Sequence, residues 1–103
     1  MHGINNILNP NYTGIVKQWD EKGQLMMQSE YANGQLNGIS LVFINGKLNE
    51  KNNYINNLRH GPQYTYGIAG IAGVLLIEYY NNDNYLYDEC YMLRDGAFIR
   101  AYL

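Results

Sequence analysis

Two histidines, one cysteine and nine acids are the side chains of this 103-residue chain that invite nucleophilic, acid–base or metal chemistry. His60 stands in Arg59-His60-Gly61, and a general base needs a positioned partner that no sequence neighbour supplies. Cys90 lies between Glu89 and Tyr91. An acidic neighbour raises a thiol pKa and holds back the thiolate, so Cys90 reads as a small apolar strand residue. A single cysteine also excludes an intramolecular disulfide. The adjacent pairs Asp20-Glu21 and Asp88-Glu89 are no glycosidase dyad, because strand neighbours point to opposite faces and turn neighbours simply solvate. The histidines and the cysteine are too far apart for metal-ligand spacing. Catalytic, cofactor-binding and metal residues are therefore all assigned as none, and the chain is read as a non-enzyme.

One glycine-rich run, Gly67-Ile68-Ala69-Gly70-Ile71-Ala72-Gly73, lacks both a following helix and the Lys-Ser/Thr ending of a phosphate loop. It reads as a lengthened hairpin tip or bulge. A second reading makes Ile68, Ile71, Val74 and Leu75 an apolar knob that touches a partner or a membrane surface.

The elements that carry these residues repeat. Gly14-Ile15-Val16-Lys17-Gln18-Trp19, a turn at Glu21-Lys22-Gly23, Leu25 to Tyr31 and Asn33-Gly34 make one pass. Gly38 to Phe43, Asn45-Gly46, Leu48 to Tyr54 and Asn56-Asn57 make a second. Gly23 and Gly46 are 23 residues apart, as are Tyr31 and Tyr54, a period that belongs to a repeat array. In this register His60 occupies the slot of Thr13 and Asn37, a polar position before an opening glycine. Within each pass the apolar period is two. Ile15 and Trp19 share one strand face, repeated by Ile39, Leu41 and Phe43, while Leu25, Met27 and Tyr31 alternate on the return strand. Lys22-Gly23 and Asn45-Gly46 are hairpin turns.

A third copy opens at Gly61, with Tyr66 in the place of Trp19 and Phe43, and returns from Val74 to Tyr80. Tyr85 to Leu93, Arg94-Asp95-Gly96 and Ala97 to Tyr102 make a degenerate last hairpin, as the end of an array requires. No apolar period of 3.6 survives. The fold class is therefore all-β, with about four consecutive antiparallel hairpins in one elongated, twisted, open sheet, roughly eight strands in all. Residues 1–13 read as an irregular lead-in that caps the first repeat, and 14–103 as a single repeat domain.

Composition bounds the partners. The net charge is −2 and charged residues are only 16%, which removes any polyelectrolyte argument for nucleic acid. From Glu78 onward five acids face Arg94 and Arg100, a local net of −3, which reads as solvated surface. Eleven tyrosines against two phenylalanines suit half-buried faces and interfaces better than deep cores. The start Met1-His2-Gly3-Ile4 has no basic segment before an apolar one, and Gly67 to Ile77 is too short to span a bilayer as a helix. The expectation is a cytoplasmic protein.

The unit Gly-x4-aromatic, Gly-x-Leu, x5-Tyr, x-Asn-Gly, x3-Gly resembles the MORN-type repeat in its variant form. The first copy matches it at Gly14, Trp19, Gly23, Leu25, Tyr31, Asn33, Gly34 and Gly38. The second matches at Gly38, Phe43, Gly46, Leu48, Tyr54 and Gly61. The match is good over 14–66 and poor over 67–103, and departs at Asn57 and across Gly67–Gly73. The resemblance implies hairpins side by side with recurring aromatics along one face. It also implies an interaction module: a scaffold, a membrane-associated assembly, or an antitoxin or immunity protein that neutralises a toxin or effector. Partner-binding residues are expected at Trp19, Phe43, Tyr66, Tyr31, Tyr54 and Tyr79. Self-association into a homo-oligomeric scaffold and docking on a membrane surface are the alternatives. The resemblance attaches no catalytic residue.

Overall fold

The computed structural model describes residues 10–68 and 71–101. Residues 1–9, 69–70 and 102–103 lie outside the described residues, and with them most of the expected N-terminal cap, two of the seven residues of the glycine run and Tyr102 of the expected last hairpin. The described chain is all-β and contains no helix. Its strands are β1 (Gly14–Trp19), β2 (Leu25–Ala32), β3 (Gln35–Ile44), β4 (Lys47–Ile55), β5 (Leu58–Arg59), β6 (Gly61–Ile68), β7 (Ile71–Asn81), β8 (Asn84–Arg94) and β9 (Ala97–Ala101). They form one antiparallel sheet in the order β1-β2-β3-β4-β6-β7-β8-β9, with the two-residue β5 paired to β4. The sheet is open: β1 and β9 are its two edges and are not joined. The described residues extend 44 × 35 × 19 Å, the outline of a single layer.

Five connections are two-residue turns with positive φ at both central residues: Asn33-Gly34, Asn45-Gly46, Asn56-Asn57, Asn82-Asp83 and Asp95-Gly96. This is the mirror-image turn whose twist matches the strands it joins. Asn and Asp tolerate the left-handed region better than other side chains. The first hairpin differs. There Asp20 Oδ1 accepts from the N–H groups of Lys22 and Gln24, both at 2.9 Å, and the backbone of Gly23 takes φ +79°.

Successive units are tied at their turns by one recurring clamp. The N–H of Leu36 donates to Asn57 Oδ1 at 2.8 Å, and the N–H of Asn57 returns to the Leu36 carbonyl at 2.8 Å. One unit later the N–H of Arg59 donates to Asp83 Oδ1 at 3.0 Å, and the N–H of Asp83 returns to the Arg59 carbonyl at 2.9 Å. The first turn uses the lead-in instead: Gly34 N–H donates to the Tyr12 carbonyl at 2.8 Å and Asn33 N–H to Thr13 Oγ1 at 3.0 Å. Asn57 therefore departs from glycine for a reason, since its amide oxygen supplies one half of the clamp. Asn57→Ala is expected to destabilise by about 2 kcal/mol through the left-handed φ and the lost acceptor. Asn57→Gly, which relieves the φ but not the acceptor, is expected to cost about 1 kcal/mol. Urea denaturation of both variants checks this ordering, and an Asn57→Gly variant as stable as the native protein would show that the amide contributes nothing.

Asp83 also takes the Arg59 Nε at 2.9 Å. Its pKa is lowered by the Arg59 backbone N–H and then by the guanidinium. The Arg59 guanidinium lies over the Tyr80 ring, with its carbon 4.1 Å from the centroid.

The expected register slip lies at Gly67. Pairing passes from Tyr66↔Leu75 to Ile68↔Ile71, so β6 and β7 continue as a longer hairpin around a bulge. Val74 and Leu75, two of the four residues of the expected knob, stand instead in the sheet opposite Met92 and Tyr91.

Candidate functional site

Residues paired across an antiparallel ladder share a face, so the registers sort the side chains. Ile15, Lys17, Ile39, Leu41, Lys51, Tyr64, Leu75, Ile77, Tyr79, Tyr87, Glu89 and Tyr91 occupy one face. Val16, Met27, Ser29, Ser40, Val42, Glu50, Asn52, Thr65, Gln63, Leu76, Glu78 and Cys90 occupy the other. The first face is predominantly aliphatic and aromatic. The second is polar along its middle, where Ser29 and Ser40 are buried and share a hydrogen bond of 2.7 Å.

The six residues expected to bind a partner divide between these faces. Trp19, Phe43 and Tyr66 continue the first face, each at the end of an outgoing strand where the register shifts by a bulge. Tyr79 joins them and stacks on Tyr87, with centroids 4.5 Å apart and planes inclined by 19°. Tyr31 and Tyr54 lie on the opposite face, across from Gly14 and Gly38. The third residue of that series is Tyr80, across from Gly61. The space over those glycines is taken by the Tyr12 ring at Gly14 and the Glu30 side chain at Gly38, and nothing lies within 4 Å at Gly61. Of the six expected residues, Trp19, Phe43, Tyr66 and Tyr79 therefore share one face, together with Tyr64, Tyr87 and Tyr91.

Sequence reasoning missed what orders the C-terminal part of this face. Glu89 Oε1 accepts from the Tyr79 and Tyr91 hydroxyls at 3.1 and 3.2 Å, and Glu89 Oε2 pairs with Arg100 at 3.1 Å. Burial and then the Glu89 hydrogen bond push the Tyr79 pKa up to about 12, so its hydroxyl stays a donor. Glu89 was legible only as half of an acidic dipeptide. Its neighbour Asp88 points the other way and accepts from the Tyr85 hydroxyl at 2.6 Å.

The nucleophile and base candidates are not brought together. Cys90 is half-buried and free, opposite Leu76 and Ala101. His60 lies at the β5–β6 joint, with β7 intervening before β8. Its backbone N–H donates to the Asn53 carbonyl at 3.0 Å, while its Nδ1 is buried without a partner. His60 lines an open groove of about 390 Å³ with Ile39, Ile55, Pro62 and Tyr64. No group of three or more His, Cys, Asp or Glu among the described residues is placed to hold a metal ion. None of the described residues forms a helix long and apolar enough to cross a membrane.

No protein-family model matches the chain, and no curated protein matches it.

Proposed function

We propose that this protein is a non-enzymatic MORN-type repeat module whose work is protein–protein interaction through the face bearing Trp19, Phe43, Tyr66 and Tyr79, as an antitoxin or immunity protein neutralises its target. One observation carries the reading. Among the described residues only Val16 and Ile77 are buried hydrophobics, whereas fifteen large apolar side chains are 37–55% exposed. A single layer has no second layer against which to bury them. Ile15, Trp19, Ile39, Leu48, Tyr87 and Phe98 among them lie on the first face; exposed large apolar residues gathered on one surface mark interaction sites, and Trp and Tyr are the usual anchors of such sites. Trp19 is 40% exposed and Tyr87 52%, while the Glu89 hub holds Tyr79 and Tyr91 in place before a partner arrives. That preorganisation lowers the entropic cost of binding.

The test compares the native protein with the Trp19→Ala, Phe43→Ala, Tyr66→Ala triple variant as baits in the native lysate. The native bait is expected to retain one stoichiometric protein. The triple variant, folded by circular dichroism, is expected to bind that protein on the order of 100-fold more weakly or worse. A folded triple variant with undiminished affinity would show that this face is not the working surface.

A further inference from the structure

The first face carries charge that its own sheet does not answer. The registers put Lys17, Glu30, Lys51, Glu89 and Arg100 on it. Both acids are already engaged. Glu30 Oε1 accepts from the Ile39 N–H at 2.7 Å, and Glu89 takes the Tyr79 and Tyr91 hydroxyls and Arg100. All nine acids of the chain lie in the described residues, and among those residues neither Lys17 nor Lys51 forms an ion pair. The Lys51 ammonium instead stands 5.9 Å from the centre of the Tyr64 ring. The chain as a whole has a net charge of −2, yet the unanswered charge of this face is positive.

The position of Lys51 makes that charge matter. Lys17, Gln28, Leu41, Lys51 and Tyr64 form one lateral row across β1, β2, β3, β4 and β6. β4 lies in the middle of the sheet order, so a partner that reaches from Phe43 on β3 to Tyr79 on β7 covers Lys51. Lys51 also lines the open groove of about 390 Å³ with Ile39, Ile55, Pro62 and Tyr64, and no acid is among the described residues that line it. An ammonium covered by apolar surface loses its hydration, and only a counter-charge brought by the partner offsets that cost.

We propose that the partner of this face is an acidic protein. It sets one carboxylate at Lys51, in the groove beside Tyr64, and a second at Lys17, with an apolar side chain between them on Leu41. The two lysines are three strand spacings apart, roughly 14 Å. In an extended segment running across the strands, side chains four residues apart share a face and stand about that far from each other. The complementary pattern is therefore acid-x-apolar-x-acid. An acidic partner presupposes that the first face is the working surface, and adds the charge of what it binds.

The probe is the peptide acetyl-Glu-Leu-Trp-Leu-Glu-amide, titrated into the full ¹⁵N-labelled chain, with acetyl-Lys-Leu-Trp-Leu-Lys-amide as its charge-reversed control. Saturable amide shifts are expected at Leu41, Lys51 and Tyr64 with the acidic peptide. The basic peptide is expected to bind about tenfold more weakly or worse. Lys51→Met keeps the aliphatic stem and removes the charge, and is expected to weaken the acidic peptide about tenfold. Equal affinity for the two peptides at these residues would overturn the acidic partner and leave the face standing as an apolar docking surface. Tighter binding of the basic peptide, or no saturable shift on the first face, would also overturn it; the triple variant of Trp19, Phe43 and Tyr66 then decides the face separately. Binding of phosphatidylserine vesicles at Lys17 and Lys51 in place of the acidic peptide would overturn it as well, by making the counter-charge a lipid headgroup. The peptide comparison needs no variant of the protein, so it decides the matter even if Lys51→Met fails to fold.

Discussion

Replacing Gln63 by alanine is expected to destabilise the protein by about 2 kcal/mol, because the half-buried Asn53 N–H loses its partner and the Asn53 carbonyl keeps only the His60 N–H. Gln63 is 4% exposed. Its Nε2 donates to the Asn53 carbonyl at 2.9 Å, and its Oε1 accepts from the Asn53 N–H at 3.1 Å. The need for this arises one residue earlier. Pro62 has no N–H to give to β4, and the β4–β6 ladder is confined to Glu50↔Thr65 and Lys51↔Tyr64. The Gln63 amide takes the place of the missing strand partner, while Asn53 Nδ2 donates to the Pro62 carbonyl at 2.6 Å. The side chain thus joins the second unit to the third where the backbone alone does not. Urea denaturation gives the loss, and hydrogen exchange gives its location. The amide of Asn53 is expected to lose protection well before those of β7. A loss under about 0.5 kcal/mol would mean that water substitutes for the amide and that the seam is held elsewhere.

Gly34→Ala is expected to cost about 3 kcal/mol, more than the left-handed backbone alone explains. Gly34 has φ +78°, and a Cβ built there meets the backbone of Pro10, with the carbonyl carbon at 2.8 Å and Cα at 3.3 Å. Backbone yields far less readily than the end of a flexible side chain. Moving the lead-in away would also break the bond from Gly34 N–H to the Tyr12 carbonyl. Gly23→Ala is the control. Its φ is +79° and nothing lies within 4 Å, so it is expected to cost only about 1–2 kcal/mol. Thermal denaturation of the pair separates the two contributions, and equal losses would show that the contact with Pro10 is unimportant. The comparison also explains why the first turn ends in Gly34 where the later ones end in Asn57 and Asp83. Those residues need a side chain to clamp the preceding unit, and Gly34 has Pro10 in the space that one would fill.

Much of the architecture was legible because it is local. A two-residue turn of Asn, Asp and Gly dictates a hairpin within a few residues, and repetition at 23 residues lays hairpin beside hairpin. Gly61 opens the third unit and Asp95-Gly96 turns the last, as the spacing predicts. Asn57 looked like a lapse from the pattern, because its value lies in a hydrogen bond to Leu36, which is 21 residues away. Glu89 reads in the sequence only as half of an acidic pair for the same reason: two tyrosines and an arginine converge on it from β7, β8 and β9.

The amino-acid sequence by itself determined the all-β class, the turns and the order of strands, since each depends on backbone preferences within one hairpin. Which face each aromatic occupies was decided only in the tertiary structure. Leu25 and Tyr31 are six residues apart, an even number that strict alternation puts on one face. Yet Leu25 pairs with Trp19 and Tyr31 with Gly14, because Met26 is an extra residue in β2 with no counterpart in β1. Asn49 does the same between Leu48 and Tyr54 in β4. One unpaired residue reverses every side chain beyond it, and that residue is visible only once the partner strand is in place.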